Sequence, residues 1–143
     1  RILFCDGGAK NGGGGEEQPM TNFLCVGAGG ALGAPARHGI NLVMSSLAHP
    51  FPWSTLLVNT GGSGLLGLLT GLWAGRDMEH SPERLILAVG FLGAFTTFSV
   101  FAGESATMWR NGQWGWLALH WLLHNGLSLG AALLGAWACS LRT

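Results

Sequence analysis

The stretch Gly90 to Phe101, GFLGAFTTFSVF, puts two glycines, two threonines, a serine and four phenylalanines into one apolar segment. Two kinds of chemistry are available there. An aromatic ring has a positive edge that can approach an anion where cationic side chains are absent, and hydroxyls can donate hydrogen bonds. Phe98 and Phe101 stand three apart, so they can project toward one face of a helix, and Thr96, Thr97 and Ser99 are interleaved with the rings. The set suits a small, hard, strongly hydrated anion, because a full positive charge would hold such an ion too tightly to release it. The crowding of Gly and hydroxyls also predicts that the helix breaks around Gly93. The backbone carbonyls freed by such a break are ready ligands for a small cation such as sodium. The plainer alternative is a packing stripe of rings, with Thr and Ser side chains bonding the freed carbonyls themselves.

Other polar groups lie in apolar surroundings. Asn59, within STLLVNTGGSG, offers two amide hydrogens to an anion or to a neighbouring helix. An interhelical hydrogen bond in a membrane is worth only about 0.6 kcal/mol on average, which favours a pathway role. His120, His124 and Ser128 recur every four residues and so share one helical face, with Asn125 beside them. Two histidines at that spacing can ligate a metal, but there is no H-E-x-x-H pattern and no third ligand nearby. Pathway lining is the better reading, and it predicts pH-dependent transport, since imidazole changes charge near about pH 6.5. Arg37 sits within the first apolar stretch, where a charge costs about 2.5–3.5 kcal/mol at bilayer depth and is usually functional. It is either a vestibule or counter-ion group, or a side chain that snorkels from a helix ending early.

The elements that must position these groups are membrane helices. The chain has 143 residues, 48% hydrophobic and only 10% charged, against about 25% charged in soluble domains. A helix needs about 20 residues to cross a core ~30 Å thick, and four stretches are long enough: Asn22–Leu47, Trp53–Trp73, Arg84–Met108 and Trp114–Cys139. HPFPW, GRDMEHSPE and RNGQ separate them with helix-ending residues, and Trp53, Trp73, Trp109, Trp114 and Trp116 stand near the ends as an aromatic belt. The fold expected is an all-α membrane protein of four transmembrane helices, the third broken. Gly29/Gly33, Gly67/Gly71 and Gly126/Gly130 have the spacing that lets helix backbones approach, within a subunit or between subunits. Four packed helices fill their own centre with side chains, so an oligomer is expected. Arg76, Arg84 and Arg142 fall on the N-terminal side of the bilayer and Arg110 on the other, a weak bias that leaves orientation weakly specified.

Residues 1–19, with GGAKNGGGGEEQ, show no apolar periodicity and are expected to be a disordered extension; Met20 opens the four-helix membrane domain, 20–143. Lys10 is followed by Asn, which does not fit a phosphate-binding loop. Cys5, Cys25 and Cys139 are odd in number and far apart, so free thiols are expected. A formal net charge of zero points away from nucleic acid, and no catalytic constellation marks an enzyme.

Three blocks carry a resemblance: GGALGAPAR at Gly29–Arg37, FPWSTLLVNTGGSGLLG at Phe51–Gly67, and GFLGAFTTFSVFAGE at Gly90–Glu104. In this order they resemble the CrcB/Fluc fluoride channel family. The resemblance implies a homodimer of oppositely oriented copies in the bacterial inner membrane, conducting fluoride passively out of the cytoplasm. By matching position, Asn59 is similar to the pore asparagine, and Phe98 and Phe101 to the two rings whose edges meet fluoride. Thr97, Ser99 and Ser128 resemble members of the polar track. Gly93 and Thr96 match the residues whose carbonyls hold a structural sodium ion, and Glu104 matches the acidic residue after the motif. The chain departs from the pattern at Ala94, at Val100, and at His120 and His124, where Tyr and Ser often stand. A different class, a small dual-topology proton-coupled multidrug exporter, needs a membrane-embedded carboxylate where the first stretch offers Arg37.

Overall fold

A computed structural model of the chain describes residues 17–46, 51–76, 78 and 81–140. They form helices joined by short connections, with no strand among them. We label the helices α1 (Glu17–Ser45), α2 (Trp53–Leu72), α3 (82–95), α4 (Phe98–Arg110) and α5 (Trp114–Ser140). Together α3 and α4 make the broken third span, Pro82–Arg110. Three spans, α2, Pro82–Arg110 and α5, are apolar enough to cross a membrane. With 29 residues α1 is long enough, but Arg37, His38 and Asn41 lower its hydropathy, and it does not reach the level of the other three.

Several boundaries differ from those expected. The first helix begins at Glu17, so three residues assigned to the Gly-rich extension are helical; the rest of that extension lies outside the described residues, as does Cys5. It also continues through Pro35 to Ser45. Arg37 is therefore a mid-helix residue, half-buried, and does not reach an interface by an early helix end. Its ring-locked neighbour Pro35 cannot donate to the carbonyl one turn back, which loosens α1 just before the arginine.

Glycine seams join the helices in two pairs, α1 with α3 and α2 with α5. A methyl added at Gly29 would meet the Ile86 carbonyl, and one at Gly33 the Phe91 carbonyl. On the other seam a methyl at Gly67 would meet the Ala132 carbonyl, and one at Gly71 would lie 2.6 Å from Cys139 Cβ. Backbone approach of this kind is what small residues provide in membranes, where no hydrophobic force drives helices together. A methyl added at Gly126 or Gly130 would have nothing within 4 Å among the described residues, so the third glycine pair joins none of these helices. Between the two pairs lies a small core of Val58, Leu92 and Phe95, with Ile40, Leu69 and Phe91 packed against it. Leu122, Leu133, Leu134 and Trp137 on α5 stay exposed, as lipid-facing side chains do.

The third span changes its winding before it breaks. Residues Leu85–Leu92 are π-helical, the wider turn that in other helices often marks a functional site. Gly93 itself is ordinary helix, with φ −61 and ψ −37. The break falls three residues later than expected, at Thr96 (φ −75, ψ 156) and Thr97 (φ −151, ψ 115), both extended.

Candidate functional site

The break is held from another helix. Thr97 N–H, which would continue the helical ladder to the Gly93 carbonyl, donates instead to Asn59 Oδ1 at 2.8 Å. Asn59 Nδ2 in turn donates to the Thr97 carbonyl at 3.0 Å. One amide thus replaces both halves of a missing backbone pair, leaving a second amide hydrogen on Nδ2. Thr97 also restarts the chain as helix, because its Oγ1 accepts from Val100 N–H and caps α4. On the other side, Thr96 N–H and Oγ1 both donate to the Leu92 carbonyl at 2.9 Å, closing the end of α3. Gly62 lets α2 pass this close, since a Cβ there would meet the Thr96 methyl.

Beside the break lies a cavity of about 600 Å³. Asn59, Gly93, Thr96, Thr97, Phe98, Phe101, His124 and Ser128 all line it, together with Ser63, Asn125 and apolar side chains. Among the described residues, no Lys, Arg, Asp or Glu does. The rings of Phe98 and Phe101 are 5.6 Å apart and tilted by 49°. Phe101 is buried and Phe98 is 78% exposed, so the wall carrying Phe98 is open in a single chain. Ser128 Oγ lies 3.5 Å from Thr60 Oγ1. Ser99 is exposed and bonds Thr97 Oγ1 at 3.2 Å; it does not line the cavity. Arg37 is not brought to it either.

The α5 face runs on into a buried cluster. His120 is completely covered and His124 is 5% exposed. Their rings are 4.3 Å apart, and Phe101 packs on both, at 4.7 and 4.6 Å. Glu104 Oε1 accepts from Thr55 Oγ1 at 2.6 Å, and Oε2 lies 3.6 Å from His120 Nε2. Thr55 was not singled out from the sequence, although it stands one turn before Asn59 on the same face of α2. Ser105 was missed as well; its Oγ donates to the Phe101 carbonyl and accepts from Trp121 Nε1, tying α4 to α5 beside the ring.

The family sequence model described as CrcB-like protein, Camphor Resistance (CrcB), matches residues 24–136. The chain belongs to the CrcB family. It is similar to the fluoride-specific ion channel FluC of Beijerinckia indica, 43% identical over 119 residues, covering 81% of this chain and 94% of that protein. The protein of the same name from Hyphomonas neptunium is 44% identical over 120 residues, covering 82% and 94%. That of Legionella pneumophila strain Paris is 42% identical over 117 residues, covering 81% and 87%. The CrcB match takes in α1 from its second turn and every cavity-lining residue. With its apolar spans, it makes this chain a multi-pass integral membrane protein.

Proposed function

We propose that this CrcB-family chain is a fluoride-selective channel, not an enzyme, that lets cytoplasmic fluoride leave passively across the bacterial inner membrane. The observation that carries this reading is an uncharged cavity beside a broken helix, walled by the Phe98 and Phe101 rings and by amide and hydroxyl donors. Ring edges and single donors offer an anion attraction weak enough to release it. The relatives' names supply the ion. The exporter reading has no support from any of them.

Two further parts of the proposal concern assembly. Phe98 is exposed, and the Gly126/Gly130 pair meets nothing among the described residues. Both features suit a second copy in opposite orientation that closes the pathway. A structural sodium ion suits the donor chemistry at the break. The Gly93 carbonyl has lost its ladder partner, Thr96 leads out of the helix with extended backbone, and carbonyl oxygens are hard-cation ligands. Gly93 and Thr96 would hold the ion through those carbonyls. Bound there, it would supply the charge that fastens the broken ends together.

A bacterial strain lacking fluoride export tests the physiological role. Expressing this chain should restore growth at a fluoride concentration that stops the parent, while leaving tolerance of cationic dyes unchanged. Dye tolerance without fluoride tolerance would return the exporter reading.

A further inference from the structure

The cluster behind Phe101 contains more polar atoms than it uses. Glu104 Oε2, both ring nitrogens of His120 and Nε2 of His124 are buried without a hydrogen-bond partner among the described residues. A buried polar atom left unpaired costs about 1–3 kcal/mol, so four of them side by side describe a site. His124 Nδ1 lies 3.1 Å from the His120 carbonyl, where it donates, which leaves Nε2 as a bare lone pair. Glu104 has its second oxygen turned to His120. With both imidazoles neutral and the carboxylate ionised, the cluster carries a net negative charge against the wall of an anion pathway. One proton removes that charge and converts a lone pair into an N–H donor.

We propose that Glu104, His120 and His124 form a proton-linked fluoride site, which takes up one proton from water for each fluoride ion it holds. The proton sits on an imidazole nitrogen, and the resulting N–H is the group the anion binds. An isolated imidazolium would hold fluoride too firmly for conduction. Here the carboxylate 3.6 Å away offsets that charge, so the protonated site is neutral overall. Glu104 from α4 is the one charged group recorded against the pair among the described residues. Helix α2 contributes the Thr55 hydroxyl, and the Phe51 and Phe101 rings pack against the pair. His124 also lines the cavity, so the site opens onto the pathway.

This inference rests on the fluoride-channel reading and adds to it a stoichiometry. By linkage, fluoride affinity falls about tenfold for each pH unit above the range in which the cluster titrates, and fluoride raises the cluster's proton affinity by the factor by which protonation raises its fluoride affinity. The test is proton uptake by the purified full chain in detergent, weakly buffered near pH 7 with an indicator dye, on adding sodium fluoride. Sodium chloride and protein-free samples are the blanks. Uptake approaching one proton per chain is expected with fluoride and none with chloride. His120→Gln and His124→Gln, which keep a donor but cannot titrate, should each abolish it. Because wild-type uptake needs no variant, misfolding of either substitution leaves the test intact. Fluoride efflux from vesicles without proton uptake would overturn the site and spare the channel. Uptake that survives both substitutions would overturn the assignment to the histidines, and absence of efflux at every pH would overturn both readings.

Discussion

Fluoride efflux through a variant carrying Phe98→Ile and Phe101→Ile is expected to fall by roughly 10- to 100-fold. Isoleucine keeps the two positions apolar and bulky, so packing on His120, His124 and Trp121 is largely retained. What it removes is the ring quadrupole. A favourable ring-edge geometry is worth about 0.5–1.5 kcal/mol, and losing two raises the passage barrier by about 1–3 kcal/mol, at about 1.4 kcal/mol per tenfold in rate. Phe91→Leu is the control, because that ring stacks on Phe95 and does not line the cavity. The variant should keep its elution volume and helical content while efflux drops. Full efflux from the double variant would remove the ring-edge mechanism and leave the phenylalanines as packing.

The second large effect is expected at Asn59, whose one side chain satisfies both backbone groups of Thr97. Asn59→Ala leaves an N–H and a carbonyl without partners at the break. At about 1–3 kcal/mol per unsatisfied group, the loss is roughly 2–6 kcal/mol of stability, and hydration through the cavity lowers it toward the smaller figure. Thermal unfolding in detergent should shift down by several degrees, and efflux should be lost with the geometry of the Thr97 cap. Asn59→Asp separates the two roles. It keeps an acceptor for Thr97 N–H but puts negative charge into a cavity that otherwise has none, so efflux should fall further than stability does. An Asn59→Ala protein with wild-type melting and wild-type efflux would contradict both the clamp and the pathway assignment.

The composition of Gly90–Phe101 was enough to predict a broken helix, but not where it breaks. Glycine suggested Gly93, yet glycine also adopts helical backbone, and nothing local drives it out. The break follows a bond from Asn59, 38 residues away, and no local pattern encodes a partner that distant. The π-helical turn before it, where α1 passes closely at Gly29 and Gly90, has no local sequence signal either. The four helices were legible in apolar length and turn residues, with edges off by only a few residues. Spacing of four placed His120 and His124 together correctly, since one helix carries both. Their neighbour Glu104 comes from α4, and only the family match pointed to it. The glycine spacings were read alike for all three pairs, whereas only two of them meet a backbone among the described residues.

The proposed channel passes fluoride across the membrane and excludes chloride. Liposomes reconstituted with the purified protein and loaded with both anions test it directly, with a fluoride electrode and a chloride electrode following efflux once a potassium ionophore relieves the voltage. Fluoride efflux should scale with protein content and saturate at the vesicle fraction holding a channel, with chloride retained at the protein-free rate. Fluoride efflux no faster than from empty vesicles, or chloride leaving alongside it at a comparable rate, would contradict it.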